Sequence, residues 1–365
     1  MLDAASILAL CSLNQDSDGS WRFQSSQPPS PLNTAVDVAF GGSTLAFAVH
    51  AAYQTIEPAR LSNLRLYSIL GHFYGATRCS VPLDLKVKSL RNTRGFATRQ
   101  VTVSQSASDK SGQSRITSVI LVDFVAKATD RTVVSFSAQP RLSPLTHHSK
   151  LQDIHDKLRV DAASGQVNKK GLAYMKPFFD LLDIWHNRYC PEGMLDQQSI
   201  GLRLDKDTTQ KDLPHAQKTS YDWIQLREEL PLKGSNPQST EALLPPNAAA
   251  ASACFFAHFL DTWTSVIAPW WANKGPGKVQ VYATLDFALR FHVDDLDATA
   301  WHVREHTCQS ADDERDYVQA NLWREIASTE EDGRKEGREL RLVATMTQTC
   351  ALKGPAKKAA GASKI

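Results

Sequence analysis

The stretch VAFGGSTLAFAVHAAYQTI, residues 38–56, sets two adjacent glycines at the head of a run of small and apolar residues. Behind Gly41-Gly42, Leu45, Phe47, Ala48, Ala51 and Ala52 predict a helix with a wide apolar face. The small side chains on that face allow a sheet to approach closely. The next segments supply the sheet: LRLYSILGHFYG (64–75), SVPLDLKVKSL (80–90), FATRQVTVSQ (96–105), RITSVILVDFVAK (115–127) and TVVSFSAQ (132–139). Alternation with period two is clear in LDLKVKSL and TRQVTV, and the turn chemistry between strands is carried by Asn92-Thr93-Arg94-Gly95 and Ser108-Asp109-Lys110-Ser111-Gly112. The unit is one helix followed by an antiparallel meander.

The same order returns in the second half. NAAAASACFFAHFLDTWTSVIAPWW (247–271) predicts one helix with Asn247 as its N-cap. KVQVYATLDFALRFHV (278–293), ATAWHVREHT (298–307), DYVQANLWREI (316–326) and ELRLVATMTQTCAL (339–352) predict its meander. Ahead of the helix, MLDQQSIGLRLD (194–205) and SYDWIQLREEL (220–230) read as two leading strands. Between the halves, GLAYMKPFFDLLDIWHN (171–187) predicts a packed connector helix kinked near Pro177. A loop over 231–246, rich in Pro, Ser and Asn, belongs on the surface. A repeat of this length excludes a solenoid.

Composition removes several function classes. The 365 residues carry 41 Lys and Arg against 39 Asp and Glu, so there is no electrostatic case for nucleic acid or an anionic membrane surface. No run approaches ~18 uninterrupted apolar residues, and MLDAASILALC has Asp3 where a secretory signal would be basic, so a soluble intracellular chain is expected. The six cysteines, at 11, 79, 190, 254, 308 and 350, form no C-x-x-C pair. Reduced thiols fit this spacing better than a disulfide framework or a zinc site. There is no G-x-S-x-G, G-x-G-x-x-G or Walker loop, and no cofactor is expected. His302 and His306 on one strand would lie about 13 Å apart, too far to share a metal. His147-His148 and Asp294-Asp295-Leu296-Asp297 read as loop residues. The end, GPAKKAAGASKI, is small and basic and finishes in Ser363-Lys364-Ile365, which resembles the S-K-L peroxisomal address, so a peroxisomal or cytoplasmic location is expected.

A long helix wrapped by an antiparallel sheet, twice in one chain, is the double hot-dog architecture, an α+β fold with the two units sharing one sheet. Phe40-Gly41-Gly42 opening the helix, then HFYGAT and VKSLRNTRGFATRQVTVSQ, resemble the N-terminal half of the acyl-CoA thioesterase II family. There FGG, a strand ending in an aromatic pair and an LRxGxxFxxRxV strand occur in that order. Here Leu90-Arg91, Gly95-Phe96 and Arg99 carry the last pattern. In the C-terminal half FLDTW, ATLDFALRFH and LVATMTQ are similar to the family's aspartate-bearing helix and to its ATIDHSMWFH and LVASTVQ strands. The resemblance spans residues 30–352 and implies an N-terminal hot-dog over 1–145, a connector over 146–192, a C-terminal hot-dog over 193–352 and a flexible tail over 353–365.

The resemblance also implies an acyl-CoA or related acyl thioester substrate, hydrolysed to free acid and CoA, and a catalytic trio of Asp261, Thr284 and Gln348. Hydrolysis needs a water that is activated or aimed, and a donor where the carbonyl oxygen gains charge. Asp261 is the single carboxylate in HFLDTWTSVIAPWW, an expensive place for an acid unless it is used or hydrogen-bonded. Thr284 and Gln348 are neutral polar groups in otherwise apolar strands, able to hold a water or the carboxylate. Phe40, Gly41 and Gly42 are expected at the substrate, with helix-start N–H groups facing the acyl carbonyl. Close packing of helix on sheet is the other reading of the glycines. No metal, nucleic acid or membrane partner is expected, and further self-association is expected through sheet edges. The chain departs from the family in Phe291-His292-Val293-Asp294, in Arg290 and in Asp286-Phe287, which puts the acyl group at issue. Other readings of the same fold are hydration or dehydration of an acyl thioester, and acyl-CoA binding without catalysis.

Overall fold

The computed structural model describes residues 4–33, 36–106, 114–129, 132–203, 207–232, 242–274, 278–327 and 338–355. Twelve strands form one sheet: β1 Leu10–Ser12, β2 Trp21–Ser25, β3 Leu64–Phe73, β4 Asp84–Asn92, β5 Phe96–Ser106, β6 Ser114–Ala126, β7 Trp185–Tyr189, β8 Ser220–Leu226, β9 Val281–Phe291, β10 His302–Asp312, β11 Arg315–Ala327 and β12 Arg338–Lys353. Their order is β1-β2-β4-β5-β6-β3-β9-β12-β11-β10-β8-β7. Read inward from either edge, the halves are the same path with each label advanced by six. The duplicated helix-plus-sheet unit expected from the pattern is therefore present, and the double hot-dog fold is observed. The seam is the antiparallel β3–β9 pair, running from Ser68↔Arg290 to His72↔Asp286.

Each half wraps one buried helix, Gly41–Gln54 in the first and Ala248–Leu260 in the second. Their Ala-rich faces let them lie side by side in opposite directions: Gly42 abuts the His258 carbonyl, and Gln54 at the other end donates to the Leu244 carbonyl at 2.8 Å. The hydrophobic core is continuous across both halves, since Phe47, Phe124, Phe255, Phe259 and Leu289 belong to one cluster. Burying aromatic side chains in such a cluster stabilises each by roughly 1.5–3 kcal/mol, which ties the halves into one unit. Among the described residues no helix is long and apolar enough to cross a membrane, and all six cysteines are free.

Four expectations need correction. TVVSFSAQ (132–139) is no strand: both edges of β6 are already taken by β3 and β5, so the segment crosses the sheet instead, with Val133 and Phe136 about nine-tenths exposed. Its far end is pinned to the C-terminal half through Trp323 Nε1 donating to the Ala138 carbonyl at 2.6 Å. MLDQQSIGLRLD is not a leading strand, because Met194–Gln197 is a short helix and Ser199, Ile200 and Gly201 follow it with φ of 43°, 55° and 74°. The leading strand is β7, at the end of the segment read as connector helix; the helix itself is Lys169–Leu182 and runs through Pro177. The 247–271 segment is not one helix either. It breaks after Leu260, turns at Trp263 with φ of 70°, and resumes as a 3-10 turn, Thr264–Val266, and a helix, Ile267–Trp271. Strands β1 and β2 are additions to the sequence-based reading. The address-like tripeptide Ser363-Lys364-Ile365 lies outside the described residues.

Candidate active site

The site forms where the start of one helix meets the end of the other. The first helix begins at Gly41 without a side-chain cap, as Phe40 in the cap position has none to offer. The leading N–H groups of any helix lack intrahelical acceptors. Here the Gly42 N–H donates to the carboxylate of Asp261 from the second half. A Cβ on Gly42 would stand 2.2 Å from the His258 carbonyl oxygen, and one on Gly41 would stand 2.8 Å from Asp261 Oδ2. Only glycine lets the two backbones and the carboxylate come this close. The two readings of the glycine pair divide between them: Gly42 is the close-packing residue and a donor to Asp261, while Gly41 lines the cavity beside it.

Asp261 is the C-terminal cap residue of Ala248–Leu260 and is 8% exposed. Burial pushes its carboxyl up from 3.8 to about 6, against the opposing pull of hydrogen bonds from Gln348 and the Gly42 N–H. The end of its own helix also presents carbonyl oxygens, which disfavour an anion, whereas the start of the first helix favours one. The group is thus an acid that ionises close to neutral pH, the range suited to general-base work.

Gln348 on β12 is buried, and its Nε2 donates to Asp261 Oδ1 at 2.5 Å. An amide has one donor and one acceptor end, so this contact aims Oε1 away from the acid. That oxygen accepts from the Thr284 hydroxyl at 3.4 Å. Thr284 reaches it because β9 carries a bulge: Asp286 pairs with Thr349 but Thr284 pairs with Cys350, leaving Leu285 extra. Strict alternation from the buried Phe287, Leu289 and Phe291 would turn Leu285 inward and Thr284 outward. The bulge reverses that, a known use of bulges beside active sites. Asp261, Gln348 and Thr284, picked from the sequence, are therefore brought into one hydrogen-bonded chain.

Beside this chain lies a mainly apolar cavity of about 770 Å³. Phe40, Gly41 and Phe73 from the first half, Asp261, Trp263 and Thr284 from the second, and Tyr174 and Met175 from the connector helix line it. Gly42 does not line it. Tyr174 was not anticipated, since the connector read as packing material; an aromatic residue off the helix's apolar stripe was the available signal. Asp261 is the only carboxylate among the described lining residues, and no imidazole accompanies it.

Other ionisable groups do different work. His302 and His306 sit on β10, both fully buried, and burial pulls His302 down to about 4 and His306 well below its usual value, so both are neutral. His147, His148 and Glu325 cluster on the opposite side of the C-terminal sheet, with His147 Nε2 3.2 Å from Glu325 Oε1. The Ser149 N–H donates to His147 Nδ1, which places that ring's proton on Nε2, facing the carboxylate, and the Arg188 guanidinium lies close by. A proton and a neighbouring cation where a metal would bind make this a hydrogen-bonded clasp for the crossing segment.

Residues 28–125 match the family model described as acyl-CoA thioesterase N-terminal domain. The chain carries an acyl-CoA thioesterase domain. The resemblance read from the Phe40-Gly41-Gly42 and Arg99 motifs is borne out, and with it the assignment to thioester hydrolases. No curated protein matches the chain significantly in sequence. Solved structures match along its length. One is an acyl-CoA thioesterase II, TesB2, from Mycobacterium marinum, at 16% identity and a TM-score of 0.58, covering 97% of this chain and 99% of that one. Another is a putative thioesterase from Novosphingobium aromaticivorans, at 17% identity and 0.54, covering 94% and 99%. A third is a protein of unknown function with a hot-dog fold from Alicyclobacillus acidocaldarius, at 16% identity and 0.57, covering 98% and 100%. At these identities the likeness is one of fold, and it extends over both halves.

Proposed function

We propose that the protein hydrolyses an acyl-CoA thioester to free acid and CoA, with Asp261 directing a water onto the carbonyl carbon. The observation that carries this reading is the chain Asp261–Gln348–Thr284 at the wall of a cavity built from both halves. A water held by the Asp261 carboxylate and the Thr284 hydroxyl can lose its proton to Asp261 as it attacks. Gln348 fixes the carboxylate's rotamer, so no reorganisation is needed at the moment of reaction. The start of the Gly41–Gln54 helix, with its positive end toward the cavity, supports Gly41 N–H as the donor to the forming oxyanion. CoA thiolate leaves on collapse of the tetrahedral intermediate, and the proton on Asp261 is returned to solvent or to the thiolate.

The apolar wall of Phe40, Phe73, Trp263 and Tyr174 suits an acyl chain, and the Ser363-Lys364-Ile365 ending supports a peroxisomal site of action. Adding water across a carbon–carbon double bond needs proton transfers at two centres, for which the lone carboxylate is a poorer fit. Thiol release from a panel of acyl-CoAs tests the proposal: wild type releases CoA, and Asp261→Asn, folded and still binding CoA esters, loses at least about 100-fold in kcat. Binding without release in the wild type, or loss of enoyl absorbance without thiol, would overturn it. A fluorescent protein carrying the last dozen residues should reach peroxisomes; diffuse signal removes that part.

A further inference from the structure

We propose that Arg304, which does not touch the cavity, is the positioning residue that holds the turn carrying Asp261. The inference rests on the reading of Asp261 as the water-directing acid. Where the Ala248–Leu260 helix breaks, its last carbonyls have no intrahelical donors, and the chain leaves through Trp263 in a left-handed conformation. An acid placed on such a turn is only as well aimed as the turn is fixed. Arg304, projecting from β10 with no exposed surface, adds a side-chain donor to the carbonyls of this turn. Its Nη1 donates to the Phe259 carbonyl at 3.0 Å, to the Thr262 carbonyl at 3.3 Å and to the Thr262 hydroxyl at 2.5 Å, so it grips the residues on both sides of Asp261. The Phe259 ring lies 4.0 Å beneath the guanidinium carbon.

The turn is tied from within as well. The Thr262 hydroxyl donates to the Phe259 carbonyl at 2.7 Å, and the Thr264 hydroxyl donates to the carbonyl of Asp261 itself at 3.0 Å. On its other edge Arg304 is clamped in bidentate fashion by Asp222 of β8, with Nε and Nη2 at 3.0 and 2.9 Å from the two carboxylate oxygens, and Asn187 of β7 donates to that carboxylate at 2.7 Å. A rigid planar fork can serve a carboxylate on one edge and two carbonyls on another, which lysine cannot do. The Asp222 carboxylate neutralises the guanidinium, so the grip on this turn comes without a free positive charge.

The first half contains the comparison. At the end of the Gly41–Gln54 helix, Thr55 stands in the cap position that Asp261 occupies in the second. Arg99 of β5 binds Thr55 Oγ1 at 2.8 Å and its carbonyl at 3.3 Å. Among the described residues no carboxylate hydrogen-bonds to Arg99; its other hydrogen bonds go to the Ser89 hydroxyl and the carbonyls of Arg91 and Thr98. Both helix ends are thus held by a buried arginine, and the half that carries the acid adds an ionic clamp to its arginine.

Steady-state thiol release, with thermal melts and CoA binding measured on the same samples, tests the proposal using Arg304→Lys, Thr262→Val, their double variant and Asp261→Asn. A misplacement of about 1 Å can cost on the order of 100-fold in rate, so Arg304→Lys should lose roughly that in kcat with KM within about 3-fold of wild type. Thr262→Val, which removes one of the gripped groups, should lose about 10-fold, and the double variant should be no worse than Arg304→Lys, as both cut the same linkage. Wild-type kcat in folded Thr262→Val or Arg304→Lys, or a rise in KM at constant kcat, overturns the proposal. If Arg304→Lys does not fold, Thr262→Val decides. Wild-type kcat in Asp261→Asn would sink the proposed function itself, a result separable from failure at Arg304.

Discussion

Replacing Asp261 by Asn should make the protein more stable at neutral pH while it abolishes turnover. The ordinary carboxyl value of 3.8 applies in the unfolded chain, and burial raises it to about 6 in the folded one. The folded state therefore holds the proton more tightly. Below pH 3.8 the acid is protonated in both states and contributes no pH-dependent term. Between 3.8 and about 6 the unfolded state ionises first, and above about 6 the folded protein carries the whole penalty, roughly 3 kcal/mol at 1.36 kcal/mol per pH unit. Asn has the same shape, accepts the Gly42 N–H and bears no charge. Lost contacts with Gln348 offset some of the gain, so the variant should be stabler by about 1–3 kcal/mol at pH 8 and by much less at pH 4. Urea unfolding of both proteins at a series of pH values reads this directly. A stability difference that does not change between pH 4 and pH 8, or a variant less stable at pH 8, would refute the argument that burial destabilises the ionised Asp261.

Other outcomes follow from the same geometry. Gly41→Ala puts a methyl 2.8 Å from Asp261 Oδ2 and should lower kcat at least about 10-fold while shifting the melting temperature by only a few degrees, as thiol release and a thermal melt will show. Gly42→Ala pushes against the His258 carbonyl at 2.2 Å, a backbone atom that cannot yield, and should cost about 3 kcal/mol or more, or leave the chain insoluble. Gln348→Glu places a second carboxylate where a donor stood 2.5 Å from Asp261, so the acid limb of the kcat/KM profile should move up from near pH 6 by a unit or more. A limb that stays in place would separate Gln348 from the ionisation of Asp261.

The duplicated fold was legible because alternation in LDLKVKSL and TRQVTV and the small-residue helices obey one-dimensional rules. Its irregular parts were not. β7, WHNRY, follows a helix with only Asp183 and Ile184 between, and its burial alternation of Trp185, Asn187 and Tyr189 is too short to separate from helical spacing. TVVSFSAQ has every local mark of a strand, but a strand needs a free edge, and whether one exists is a property of the sheet. At the site, Asp261 stood out as one carboxylate in an apolar run. That Thr284 faces it depends on one extra residue in β9, which leaves no mark in the alternation of VYATLDFALRF. Arg304 was invisible for a related reason: in HVREH it reads as an ordinary charged strand residue, and only the fold puts it beneath the end of the second helix.

Whether the oxygen delivered to the acyl group comes from solvent or from Asp261 itself is read most directly in a single turnover in ¹⁸O-water, with enzyme in excess over acyl-CoA and the released acid analysed by mass spectrometry. Water attack directed by Asp261 predicts one heavy oxygen in the acid from the first turnover and none in the protein. Unlabelled acid in that turnover, with the label appearing in the peptide containing Asp261, would mean that the carboxylate attacks the thioester and would contradict the account.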